Sequence, residues 1–334
     1  MCGHNFLVST YTGGVILNQL LQANKENNWY YVSTQQSLQN LRLHAREIDH
    51  LVPFWYGINE QGTLVDQSQP EAIQIARQNN LPILAIIHNF ADPQMSELIH
   101  NVLTNETLRQ NLINSIEQLL ISNSYAGVNI DFEFIPPGDR AALNTFMEQL
   151  YRRLSPRFLV TISVPAQVSD NPEHPFSGAF DYGTLAIFSD ELYILAYDEH
   201  FSVPGPVASI GFVKQVLDYA VTKIPRNKIK LGMAVYGYDW VETGGMPRSL
   251  TYQEAINLAQ QHNATIVYNE QAGEPTFTYT ANGVKHIVWF ENVRSFSAKL
   301  DLVFQYNLAG IAVWRLGQED PRIWIVIRNR LMPR

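Results

Sequence analysis

The chain has 334 residues, 46% of them hydrophobic and only 16% charged, with a formal net charge of −8. This composition supports a large buried core and excludes disordered, collagen-like and coiled-coil chains. The acidic balance argues against a nucleic-acid partner, whose phosphates call for a basic surface. The single cysteine, Cys2, allows no internal disulfide and no cysteine-built metal site. No apolar run approaches the roughly 20 residues of a membrane span, and Met1–Val8 is too short to read as a signal peptide.

Residues 1–28 precede the first strand-like run and read as an N-terminal extension. Beyond them, short β-branched and aromatic runs alternate with helical spacing, the pattern of a parallel α/β fold. The runs are Trp29–Ser33, Leu51–Tyr56, Ile83–His88, Gly127–Phe134, Phe158–Val164, Leu192–Tyr197, Ile229–Tyr236 and Gly310–Trp314. Between them, Leu108, Leu112, Ile116, Leu119 and Leu120 form one apolar helical stripe. Leu143, Phe146, Met147, Leu150 and Leu154 form another, with Asp139 as its expected N-cap. Eight such units in one chain predict a closed (β/α)8 TIM barrel. The competing architecture, an open doubly wound sheet, would place a glycine-rich loop after its first strand, where this chain has Thr34-Gln35-Gln36. The connection after the seventh run is unusually long, about 70 residues. It contains a helical stretch, Tyr252–Gln261, and strand-like runs at Thr265–Tyr268, Thr276–Thr280 and His286–Phe290. These predict a small α+β insertion over residues 241–292, between strand 7 and helix 7, leaving 29–240 and 293–334 as the barrel.

The chemistry concentrates in Ala126-Gly127-Val128-Asn129-Ile130-Asp131-Phe132-Glu133-Phe134. Alternation along a strand puts Val128, Ile130, Phe132 and Phe134 on one face and Asn129, Asp131 and Glu133 on the other. In a barrel the apolar face packs outward on the helices, so the polar face points inward. Two inward carboxyls cost several kcal/mol unless they are paired, protonated or used. Neighbouring carboxyls cannot both ionise freely, so a proton stays with the pair near neutral pH. Glu133, nearest the carboxyl end of the strand, is then a general acid at the catalytic mouth of the barrel.

This stretch resembles the D-G-x-D-x-D-x-E signature of glycoside hydrolase family 18, with Ala126 in place of the first Asp and Asn129 in place of the second. Leu195-Ala196-Tyr197-Asp198 resembles the family's M-x-Y-D, and Gly232 to Trp240 its G-x-P-x-Y-G-x-x-W. Gly310-Ile311-Ala312-Val313-Trp314 resembles its last strand, whose Trp floors the sugar site. Ile130 to Pro137, Tyr236 to Trp240 and Val288-Trp289-Phe290-Glu291 look like the spore cortex-lytic branch, which contains N-acetylglucosaminidases acting on peptidoglycan fragments. The resemblance covers about residues 29–334.

It implies a retaining, substrate-assisted hydrolysis, an exception to the usual two-carboxylate scheme. In that scheme Glu133 protonates the leaving oxygen, Asp131 orients the sugar's acetamido group and Tyr197 hydrogen-bonds its oxygen. Asn129, Asp198, Tyr236, Asp239, Trp240, Trp314, His88 and Asn89 are the expected substrate contacts. The histidines show no H-x-x-H or H-E-x-x-H spacing, so neither a metal site nor a cofactor is expected. The expected partner is a glycan containing N-acetylglucosamine, met by a monomer in a cell-envelope, spore or extracellular setting. A chitinase and a non-catalytic glycan-binding barrel are the alternatives. Relatives of the non-catalytic kind typically lose the acid Glu, which is present here as Glu133.

Overall fold

The computed structural model describes residues 25–90 and 94–332. Cys2 and most of the expected N-terminal extension lie outside the described residues.

Eight parallel strands form the barrel: β1 (Glu26–Tyr31), β2 (His50–Pro53), β3 (Leu84–His88), β4 (Gly127–Asp131), β5 (Leu159–Pro165), β6 (Glu191–Leu195), β7 (Ile229–Ala234) and β8 (Gly310–Trp314). β1 pairs with β8 from Glu26↔Gly310, and the ladder runs in order from β8 through β7, β6, β5 and β4 to β3. β1 also pairs with β2, and a Leu51↔Ile83 bridge joins β2 to the chain entering β3, closing the circle. The second strand position is broken. After Phe54-Trp55 the chain resumes as Tyr56–Ile58, which pairs with β3 at Tyr56↔Ile87 and Gly57↔His88.

The helices on the outside are α1 (Gln35–His44), α2 (Pro70–Gln78), α3 (Glu106–Asn123), α4 (Arg140–Leu154), α5 (Tyr182–Ile187), α6 (Ile210–Lys223), α7 (Val293–Gln305) and α8 (Ile323–Arg330). An additional helix, Met95–Thr104, lies between β3 and α3. The α4 stripe is buried as the spacing requires: Leu143, Phe146, Met147, Leu150 and Leu154 all face inward. They join Val128, Ile130, Val160, Ile162, Ile194 and Leu231 in one continuous core between strands and helices. Asp139 holds the N-cap position of α4 but makes no capping bond. Its carboxylate is turned to His100 Nδ1, 2.8 Å away, so the expected cap is replaced by a tie to the helix Met95–Thr104.

The interior of the barrel is layered. At its foot, fully buried Lys230 pairs with Glu26 at 2.5 Å and Glu191 at 3.1 Å. Above it, Tyr30, Val52, Leu84, Ile86, Tyr193 and Ala312 form an apolar plug. The polar side chains of the expected site sit above that plug, at the carboxyl ends of the strands.

A second, five-stranded antiparallel sheet follows β7, in the order Arg248–Thr251, Tyr236–Val241, Val284–Phe290, Glu274–Ala281, Val267–Asn269. Helix Tyr252–Gln261 packs on it through Ala255, Leu258 and Ala259 against Leu250, Phe277, Val288 and Phe290. The helix and the last two strand-like runs fall where the sequence put them. The barrel strand, however, stops at Ala234, and the sheet begins at Tyr236 because Gly237–Val241 pair with Phe290–His286.

A buried ion triad locks this insertion to the barrel. Lys299 on α7 meets Glu274 at 2.9 Å and also contacts Glu291, all three with almost no exposure. Glu274 also accepts from the backbone N–H groups of Val207 (2.9 Å) and Ala208 (2.7 Å), in the loop after β6. Removing one partner of such a cluster leaves charge buried without compensation. Lys299→Met is expected to cost about 3–5 kcal/mol of stability, read as a fall in denaturation midpoint. An unchanged midpoint would contradict the assignment of these charges as a structural lock.

Candidate active site

Strand alternation turns Asp131 and Trp314 inward, while Glu133, Tyr197 and Asp198 lie just past the ends of their strands. On β4, Val128 and Ile130 pack outward, while Asn129 and Asp131 point in. The strand ladder ends at Asp131. Past it, Phe134 adopts a left-handed backbone (φ 54°), rare for a bulky residue, and is 45% exposed. The sequence reading that packs Phe134 outward with Val128 and Ile130 therefore fails at this last position, because the chain has already left the strand. The turn directs Glu133 into the mouth of the barrel.

A cavity of about 410 Å³ opens there, lined by Tyr30, Val32, Phe54, Phe90, Asp131, Glu133, Leu195, Tyr197, Asp198, Trp314 and Arg315. The structure thus brings together five of the expected residues: Asp131, Glu133, Tyr197, Asp198 and Trp314. Trp314, at the end of β8, meets Tyr30 edge-on at 5.3 Å and Phe54 at 6.0 Å, forming an aromatic wall.

The electrostatics match proton handling. Burial raises the Asp131 carboxyl to about 6, opposed by the neighbouring Ser163 hydroxyl. Glu133 is pushed up to about 8, first by burial and then by the negative charges of Asp131 and Asp198. Glu133 therefore holds its proton at neutral pH. Burial, together with the nearby acidic groups, also holds the Tyr197 hydroxyl well above its ordinary value, keeping it a donor. Asp198 has a left-handed backbone (φ 56°) that an Asp tolerates. Its Oδ1 accepts from the hydroxyls of Tyr236 at 2.5 Å and Tyr238 at 2.8 Å.

The remaining expected residues lie around this centre without lining the cavity. Asn129 is fully buried one layer below. Its amide donates to Thr161 Oγ1 (2.9 Å) and its carbonyl accepts from Ser163 Oγ (2.8 Å), so it reaches Asp131 through Ser163. The Tyr30 hydroxyl is 2.7 Å from Ser163 Oγ, extending the chain. His88 pairs in register with Asp131 and stacks on Phe54 at 3.9 Å. Burial lowers its pKa to about 4, leaving it neutral. Asn89 hydrogen-bonds the backbone of Glu133. Trp240 donates from Nε1 to the Phe201 carbonyl at 2.7 Å. Asp239 faces into the insertion, accepting from the Tyr279 hydroxyl at 2.7 Å with His286 Nδ1 at 2.9 Å.

Sequence reasoning missed Tyr30, Phe54, Phe90, Ser163 and Tyr238. Two of these carried a signal. Tyr238 shares its strand face with Tyr236 and Trp240, and Ser163 shares one with Thr161 opposite Asn129. Phe90 lies in a loop with no period to read. Among the described residues no cluster of His, Cys, Asp and Glu could hold a metal ion, and no helix is long and apolar enough to cross a membrane.

The chain matches the family described as Glycosyl hydrolases family 18 over residues 27–319. It is 37% identical over 272 residues to YdhD of Bacillus subtilis (strain 168), a candidate sporulation-specific glycosylase, covering 79% of this chain but 64% of that protein's length. It is 33% identical over 310 residues to the cortical fragment-lytic enzyme of the same organism, covering 88% of this chain and 72% of the relative. Among solved structures, a chitinase from Chromobacterium violaceum ATCC 12472 superposes with a TM-score of 0.86 at 28% identity, covering 93% of this chain and all of that one. With the barrel, the inward carboxyl pair and these matches in hand, the chain belongs to the glycosyl hydrolases of family 18, as a glycosidase on the branch that includes the cortical fragment-lytic enzymes.

Proposed function

We propose that this glycosidase cleaves the β-1,4 bond after N-acetylglucosamine in peptidoglycan of the spore-cortex kind, by a retaining reaction in which the substrate supplies the nucleophile. The observation that carries the reading is the buried Asp131–Glu133 pair, with Glu133 protonated at neutral pH, on the floor of an aromatic cavity beside Tyr197. The two carboxyls come from one chain segment two residues apart, with Asp131 near enough for its charge to raise Glu133. Hydrolysis by an attacking carboxylate needs two that flank the scissile bond.

In the proposed reaction a sugar rests on Trp314, its flat C–H face against the indole. Tyr197 donates to the acetamido oxygen and holds it under the anomeric carbon. That oxygen attacks the carbon while Glu133 passes its proton to the departing glycosidic oxygen. Asp131, ionised, stabilises the positive oxazolinium ion that results. Glu133, now a carboxylate, takes a proton from water as the water opens the ring, restoring the starting acid. An exposed row of rings leads away from the cavity, from Phe90 to Phe134 at 6.4 Å and on to Phe176 at 5.6 Å. Such a row suits a polymeric substrate better than a single sugar.

Sequence similarity to the cortical fragment-lytic enzyme supports peptidoglycan; the structural similarity to a chitinase favours chitin oligosaccharides as the second reading. Digestion of cortex fragments and of chitin oligosaccharides, with products identified by mass spectrometry, separates them. The proposal expects fragments ending in reducing N-acetylglucosamine from cortex at a rate above that on chitin. Faster turnover of chitin oligomers, with cortex untouched, would move the assignment to the second reading.

A further inference from the structure

Glu133 and the peptide that carries it lie outside the strand ladder: β4 pairs with β3 as far as His88↔Asp131 and with β5 only to Ile130↔Ile162. The backbone of Glu133 nevertheless has both partners, supplied by one side chain. Asn89 Oδ1 accepts from the Glu133 N–H at 2.9 Å, and Asn89 Nδ2 donates to the Glu133 carbonyl at 2.7 Å. The same Nδ2 donates to the Met95 carbonyl at 3.2 Å, in the first turn of helix Met95–Thr104. Ser96 Oγ donates to the carbonyl of Phe134 at 2.8 Å. Asn89 has no exposed surface.

We propose that Asn89 is a positioning residue for catalysis: its carboxamide stands in for the missing strand neighbour and fixes the peptide of Glu133, so that the acid is aimed at the leaving oxygen. The inference rests on the role of Glu133 given above. A primary amide offers a donor and an acceptor in one plane, as a strand peptide does. Aspartate lacks the donor, leucine lacks both, and glutamine carries the amide one carbon too far. The left-handed turn at Phe134 makes the clamp necessary, because the next residue bends away and cannot hold the segment in a sheet. Proton transfer depends on heavy-atom approach within hydrogen-bond reach, and a misplacement of about 1 Å can cost on the order of a hundredfold.

The test compares wild type, Asn89→Ala, Asn89→Asp and Glu133→Gln on aryl chitobiosides whose leaving phenols range from acidic (2,4-dinitrophenol) to weakly acidic (4-methylumbelliferone). Both probes carry the 2-acetamido group that the proposed reaction needs, next to the bond that breaks. A displaced acid harms the poor leaving group and spares the good one. Asn89→Ala should therefore lower kcat on the methylumbelliferyl substrate by about a hundredfold, with KM within threefold and the dinitrophenyl rate within about fivefold. Asn89→Asp, which keeps shape and acceptor in case the alanine variant folds poorly, should show the same split. It should also move the basic limb of its pH profile upward, through the added charge beside Glu133. A loss equal for both leaving groups in both Asn89 variants, with Glu133→Gln still selective for the good one, would overturn the positioning role and leave the acid assignment standing. A Glu133→Gln enzyme as fast as wild type on both probes would overturn the two together.

Discussion

Glu133→Gln is expected to lose about a thousandfold in kcat/KM on glycan substrates, the scale of one general acid, with little change in binding. Glutamine preserves the shape and can still donate a hydrogen bond, but it cannot transfer a proton. The same substitution should act on stability in the opposite direction at high pH. The folded-state pKa of Glu133 is raised from the ordinary value of 4.5 to about 8. Between those values the folded protein binds the extra proton, so stability falls as pH rises through this window and the full cost is present above pH 8. Glutamine carries no such cost. At pH 9 the variant should be more stable than wild type by roughly 2–4 kcal/mol, and near pH 4 the two should coincide. Denaturant midpoints at both pH values check this. A variant equally stable or weaker at pH 9 would mean that Glu133 ionises there without penalty, contrary to its burial beside Asp131.

Asp131→Asn carries the second large effect. Asp131 titrates at about 6 and Glu133 at about 8, and the reaction needs the singly protonated pair: carboxylate on Asp131, acid on Glu133. Wild-type kcat/KM should therefore follow a bell, falling below about pH 6 and above about pH 8. Asparagine removes the charge that stabilises the oxazolinium ion and should reduce kcat/KM by roughly a hundred- to a thousandfold. It also removes one of the two negative charges that raise Glu133, so the residual basic limb should move down from about 8. A limb that stays in place while the rate collapses would show that Asp131 does not share an electrostatic environment with Glu133.

Much of this site was legible because strand periodicity is strict. Asn129 and Asp131 at alternate positions could point only one way once both faces of the strand were covered, and Glu133 continues their direction although the strand has ended. The apolar stripes placed α3 and α4 for the same reason. The same rule, applied one strand further, would have separated Tyr236, Tyr238 and Trp240 from Asp239, which alternation turns toward Tyr279 and His286. What escaped the sequence were contacts made after regular structure ends. Asn89 lies immediately after β3 and bonds a backbone 44 positions away, so no spacing announces it. Asp198 is held by hydroxyls from a different sheet, about 40 positions on. The left-handed backbone at Phe134 reflects where pairing stops, and a run of alternating residues gives no sign of that.

The most direct test of the account measures wild-type kcat/KM on a matched pair of oligosaccharides that differ only at the sugar entering the cavity, one bearing the 2-acetamido group and one a 2-hydroxyl. If the acetamido oxygen is the nucleophile held by Tyr197 and Asp131, the hydroxyl substrate should react at least about a thousandfold more slowly, a deficit on the scale of a lost intramolecular nucleophile. Comparable rates on the two would contradict the substrate-assisted mechanism and would assign nucleophilic attack to a group of the enzyme or to water.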